Sequence, residues 1–354
     1  MALGGAALVV AAGMGGMWWW SRPERLLSHA IAAAKASQWA EALDSWRSVN
    51  ATRLARGTTY LAEARAALAL GRAAEAEQAL ARASAMDPSP LDSWRLRLEI
   101  LRLEDRPLEA QEVGWAAYLA VNPASRREIL EDLTLALLAD LQDEIANPAL
   151  TRWADAGDDP DARVALFRRL DAMPRPGGLP RAERIAELNA ILKHAPDHLD
   201  AREVLITTLA ASGEPDAGRL VLDAWPGVES TRDARYWRLR GRWDLEFDRE
   251  PARAVEAFRR ALTDLPHDAK TRVGLAQALH ALGREAESRE EAESASRTRE
   301  LLDPIRLGPR LAADFKRPED PAALNDLATL CARAGLTRLA EAWRVEAQAA
   351  RVVP

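Results

Sequence analysis

Small and large apolar residues recur along this chain at a fixed interval. Ala42, Ala76 and Ala110 lie in the related segments SQWAEALDSW, GRAAEAEQAL and DRPLEAQEVG, each 34 residues from the last. Each alanine follows a polar or helix-breaking turn residue (Ser37, Gly71 or Asp105) by five positions. A large residue comes one helical turn later at Trp46 and Leu80, and the second segment goes on to Ala83 and Asp87-Pro88. The phrase returns as PARAVEAFRRALTDLPHD, with Ala254, Phe258, Ala261 and Pro266 at the same offsets, and more loosely after Gly213, Gly283 and Gly335. Before those turns, Leu205 and Leu209, Leu275 and Leu279, and Leu327 and Cys331 stand four apart, the spacing of one helix face. The pattern predicts pairs of helices with small residues where the axes approach and large ones filling between neighbouring pairs. One pair cannot bury both faces, so the pairs must stack.

Over residues 26–350 this series resembles the tetratricopeptide repeat family, with Trp237 and Gly241 keeping the family's early Trp and Gly best and Tyr60 and Trp94 as equivalents of the Trp. The resemblance implies an all-α solenoid, a right-handed superhelix of antiparallel helix pairs. It also implies a concave groove for peptides or partner proteins. Carried over position by position, the groove residues are Arg235, Arg238 and Arg242, then Lys270, Gln277 and His280. The three arginines are spaced i, i+3, i+7 and share a helix face in any case. Converging guanidiniums suit carboxylates, which makes an acidic partner the expectation. Gly274 stands where the family's carboxylate clamp carries an asparagine, so only a generic acidic-peptide site is implied.

The register breaks over 124–180. Ser125–Ile145 reads as one amphipathic helix with Ile129, Leu133, Leu137 and Leu141 on one face. Asn147-Pro148, the acidic DAGDDPD turn and the run PRPGGLP follow. The expected division is an anchor at 1–21, a first block at 22–173, a hinge at 174–180 and a second block at 181–302. An irregular linker at 303–321, marked by Pro304, Pro309, Pro318 and Pro321, then precedes a final helix pair at 322–354.

Residues Ala2–Trp20 carry no charge. About 19 residues make a helix of roughly 28 Å, close to bilayer hydrocarbon thickness. Trp18, Trp19 and Trp20 then fall where indoles favour the headgroup boundary, with Arg22 and Arg25 beyond them. The segment predicts an N-terminal transmembrane helix rather than a cleaved signal peptide, which needs a positive start and a shorter apolar core. The arginines place the body on the cytoplasmic face. Resemblance to bacterial anchored repeat proteins places it outside the cytoplasm, and the expectation adopted is a single-pass membrane protein with an extracytoplasmic body.

Composition narrows the function. Aromatics are 5% of the 354 residues and β-branched residues are sparse, against a strand-rich fold. A net charge of −6 gives no basis for general nucleic-acid binding. His194 and His198 are four apart, but Pro196 between them makes an inter-repeat turn rather than a metal-binding helix face. Asp155, Asp158, Asp159 and Asp161 lack the Gly and Glu of a calcium loop. Cys331 falls in the apolar series as a packing thiol. No nucleotide or hydrolase fingerprint occurs, so neither enzyme activity nor a cofactor is expected. The expected role is a membrane-anchored scaffold for other proteins. The alternatives are a structural subunit of an envelope complex and an enzyme or cofactor carrier within 124–180.

Overall fold

The computed structural model describes residues 23–86, 90–139, 143–157, 159–172, 179–229 and 232–351. The alanine series lands in its core: Ala42, Ala76, Ala110 and Ala254 are each 0% exposed, and Trp46, Leu80 and Phe258 are buried beside them. Every described element is helical. The first block pairs α1 (Pro23–Lys35) with α2 (Trp39–Asn50), α3 (Gly57–Ala69) with α4 (Ala73–Ser84), and α5 (Leu91–Leu103) with α6 (Pro107–Ala120). After a short 3-10 turn come α7 (Arg126–Leu138), α8 (Asp143–Gly157) and α9 (Pro160–Ala172). The second block runs through α10 (Arg181–His194), α11 (Leu199–Ala211), α12 (Pro215–Asp223), α13 (Ala234–Glu246), α14 (Pro251–Asp264), α15 (Ala269–Ala281) and α16 (Glu285–Leu301). The chain closes with α17 (Pro304–Phe315), α18 (Pro321–Arg333) and α19 (Thr337–Ala350).

Seven of the described tight helix–helix turns carry a residue in the left-handed region: Ser37, Gly71 and Asp105 in the first block, then Gly213, Arg249, Gly283 and Gly335. Ser37, Gly71 and Asp105 stand 34 residues apart, so in the first block the period of the sequence is the period of the tight turns, and Arg249, 34 residues before Gly283, is a turn the sequence pattern did not mark. An arginine at φ 56° is strained where glycine is not. Arg249→Gly is therefore expected to raise stability by about 1 kcal/mol in chemical denaturation. A loss would show that the side chain, not the backbone, decides at this turn. Close approach accounts for Gly241 as well: a Cβ there would stand 2.7 Å from the Phe258 ring, so α13 and α14 meet over it.

The irregular region departs from the simple stack. The helix expected over 125–145 ends at Leu138, where Ala139 turns extended (φ −108°, ψ 105°). The backbone of α8 then runs through Pro148, where a break was expected. Its Leu150, Trp153 and Ala154, with Ala162 and Ala165 of α9, pack into the first block against Ala76, Leu80 and Ile100. The other face of α9, Val164 and Phe167, packs on Val204 and Leu205 of α11. The α8–α9 pair thus joins the blocks. The expected linker at 303–321 contains α17, because Pro304 sits in the first turn, where its missing N–H costs nothing, and Leu307 and Leu311 enter the core. The proposed hinge lies outside the described residues except for Leu179 and Pro180.

Helix α7 is packed by α5, α6 and, from the far end of the chain, α19. One apolar cluster contains Leu130, Leu133 and Leu137 together with Leu324, Leu327, Cys331, Leu339 and Trp343. Trp343 Nε1 donates to Thr134 Oγ1 at 3.0 Å in a buried hydrogen bond. Arg127 reaches the carbonyl of Pro318 at 3.1 Å, and Arg338 lies over the Trp115 ring, 3.9 Å from its centroid. The terminal hairpin supplies α7 with a packing partner, so the last helices close back onto it.

The expectation of a single-pass membrane protein with an extracytoplasmic body is corrected. Among the described residues no helix is long and apolar enough to cross a membrane. The longest, α16, has 17 residues and carries charges along its length. Arg25, read as flanking an anchor, is half-buried on the amphipathic α1. Segment 1–21 with Trp18, Trp19 and Trp20, and Arg22 after it, lies outside the described residues.

Candidate binding surface and its ion-pair network

Opposite charges occupy equivalent positions on the first helices of neighbouring hairpins. Asp200 and Glu203 begin α11, and Arg235 and Arg238 lie 35 residues on, in the first turns of α13. Stacking brings them face to face. Arg235 donates to Asp200 at 2.6 Å, to Asp233 at 2.6 Å and to Glu109 of α6 at 3.1 Å. Arg238 bonds Glu203 and donates to Asp268, the N-cap of α15, at 2.9 Å. Arg168 of α9 bonds Asp200, lies 3.6 Å from Glu203, and donates to the carbonyl of Asp105 at 2.6 Å. One continuous line of ion pairs thus runs from α9 to the start of α15, with branches to Asp105 and Glu109 in the first block.

Burial alone would weaken the charge on Arg168, but Asp200, Asp105 and Glu203 more than offset it and hold the guanidinium charged. Burial would likewise push the Asp200 carboxyl up, yet Arg168 and Arg235 hold it below the usual range. Charges so enclosed are stable only as partners, and each would be costly alone.

A second cluster lies where α4, α5 and α9 meet. Carboxylate oxygens of Glu77, Glu104 and Asp161 stand within 4.8 Å of one another, a grouping that resembles a metal site. The cation among them is Arg106, 2.8 Å from Glu104, 3.0 Å from Glu77 and 3.6 Å from Asp161. His198 Nδ1 accepts from the Ala201 N–H at 3.4 Å, so in the neutral ring Nε2 carries the proton and faces Asp161 at 3.4 Å. That tautomer is a donor, not a metal ligand, and His198 serves as the N-cap of α11. In the acidic turn, Asp159 caps α9 by accepting from Asp161 and Ala162, while Asp155 is exposed.

Of the six residues assigned to a groove, the structure places Arg235 and Arg238 inside the network, already paired. Arg242, one turn further on, is half-exposed and pairs with Glu246 of its own helix at 2.9 Å. Lys270, Gln277 and His280 are exposed on α15, with His280 2.9 Å from Glu285. The acids that meet the arginines, and the second-block role of Arg168, escaped sequence reading. The signal was present as opposite charges one repeat apart. Cys331 is buried against Thr134, and burial pushes its thiol up to about 12, a packing environment rather than a nucleophile's.

No family model matches the sequence, and no curated protein does. Solved structures of tetratricopeptide-type proteins are similar to it. The Cut9–Hcn1 hetero-tetramer of APC/C has 15% identity and a TM-score of 0.36 over 95% of this chain and 81% of that one. A tetratricopeptide repeat protein from Parabacteroides merdae has 13% identity and a TM-score of 0.34, over 73% and 98% of the two chains. Yeast Tom70 has 11% identity and a TM-score of 0.27, over 93% and 76%. The fold assignment rests on the helices described above.

Proposed function

We propose that this chain is a helical-repeat scaffold that engages another protein or an extended peptide along the accessible faces of α13 and α15. The observation that carries this reading is the division of those helix faces. Internal ion pairs consume Arg235 and Arg238 in the first turns of α13 and Asp268 at the N-cap of α15, whereas Arg242, Lys270, Gln277 and His280 remain accessible and are not part of the apolar core. Arg242 and Lys270 favour a partner bearing carboxylates, which would compete with Glu246 for the Arg242 guanidinium.

A photoreactive amino acid at Gln277 in the full chain is expected to form discrete adducts in cells, with the same probe at Glu290 on α16 as the control. Arg242→Glu with Lys270→Glu is expected to reduce the Gln277 adducts by about tenfold. Equal labelling from both positions, or adducts indifferent to charge reversal, would remove the reading. A second reading, a structural subunit of a larger complex, draws support from Leu119, Leu220 and Ile305, which are 69%, 72% and 82% exposed. Adducts from those three positions, with none from Gln277, would favour it.

A further inference from the structure

His267 occupies the turn between α14 and α15, where three parts of the chain meet. Its neighbour Pro266 abuts the terminal hairpin so closely that a Cβ on Gly335 would stand 2.8 Å from that of Pro266. A cavity of about 180 Å³ opens at this junction, lined by Trp115 of α6, Leu137 of α7, Asp264 and Pro266, and Gly335 and Arg338. The His267 ring is directed at the backbone oxygen of Leu137, in the last turn of α7, where carbonyls lack helical partners. Its Nδ1 is buried with no hydrogen-bond partner. A neutral ring with its proton on Nε2 satisfies this arrangement. An imidazolium would put a second N–H where no acceptor waits.

We propose that closure of the terminal hairpin on α7 is acid-sensitive and is released when His267 takes up a proton. The groups around the ring do not compensate for that proton. In its own turn, Asp268 is committed to Arg238 and to Thr271. Asp264 of α14 and Arg338 of α19 line the neighbouring cavity, the arginine already seated on Trp115. From α7 comes only the carbonyl of Leu137. Burial outweighs Asp268 and this carbonyl and holds the imidazole below the ordinary histidine range. The closed form therefore loses nothing above the ordinary value of about 6.5 and weakens as pH falls below it.

Two carboxyls near the same interface act in the opposite sense. Burial pushes Glu131 of α7 up to about 6 and raises Glu346 of α19, so their protonation favours the closed form. Overall melting mixes the two signs, and a local readout is needed.

Hydrogen exchange of the full chain, corrected for intrinsic rates, supplies it at residues 135–138 and 335–339 between about pH 7.5 and about pH 5. Wild type is expected to lose about tenfold protection in both segments, while His267→Gln and His267→Asn keep theirs or gain some as Glu131 and Glu346 take up protons. No loss in wild type, or an equal loss in the variants, overturns the proposal. If both substitutions disturb the fold, NMR titration of His267 in the unmodified chain decides. A midpoint below that of exposed His280 supports the latch, and one at or above it overturns it.

Discussion

Trp343→Ala is expected to cost about 3–5 kcal/mol in chemical denaturation and to loosen α7 as well as α19. Trp343 is 0% exposed and belongs to the single cluster that spans both ends of the closure. Its ring stacks on Phe315 at 6.3 Å between centroids, and its Nε1 is held by Thr134. Truncation removes apolar contact on three helices and leaves a cavity that the packed neighbours cannot fill. Stacked repeats are stabilised by their nearest neighbours, and closure adds a contact between distant ones. The variant should therefore unfold over a broader or divided transition where wild type shows one. A cost under about 0.5 kcal/mol, the scale of a surface change, would mean that the terminal hairpin does not dock on α7.

Arg168→Met is expected to be the most damaging change in the ion-pair network, at about 2–4 kcal/mol. The arginine joins Asp105 of the first block to Asp200 and Glu203 of the second, and its side chain is 23% exposed. That partial exposure places the effect below the extreme for a fully enclosed pair. The cost lies in the carboxylates left behind more than in the bonds removed. Adding Asp200→Asn to Arg168→Met is accordingly expected to recover part of the loss in urea denaturation. Additive losses would show that Asp200 gains nothing from Arg168.

The repeat was legible because its cause is local. An alanine beneath a crossing helix and a left-handed turn residue five positions earlier follow from how two helices pack through a short connection. Ala76, Gly71 and Leu80 therefore announce their hairpin without reference to anything distant. Asp105 and Ser37 were legible for the same reason, although neither is glycine. The closure was not legible. The pairing of Trp343 with Thr134 spans 209 residues and obeys no period. Pro304 and Pro309 suggested a break, yet the first begins a helix and the second lies within it.

The groove residues show a middle case. The helix face shared by Arg235, Arg238 and Arg242 followed from spacing, but whether those charges faced a partner or one another depended on the helix next door. Asp200 and Glu203 on that neighbour settle the first two as internal partners. Arg242, beyond the reach of α11's acids, pairs only along its own exposed helix and stays in the proposed surface. The membrane expectation drew on a segment outside the described helices, and no described helix supports it.

The terminal hairpin closes back onto α7 through Trp343 and Cys331. Cys331 of α18 lies against Thr134, which makes a single substitution sufficient to trap that closure covalently. In Thr134→Cys, refolding from denaturant in a glutathione redox buffer, where both thiols are reactive before burial, is expected to join residues 134 and 331 in an intramolecular disulfide, read as a tryptic crosslink by mass spectrometry. Both thiols remaining free in a protein with undiminished helical circular dichroism would mean that the terminal hairpin does not pack on α7.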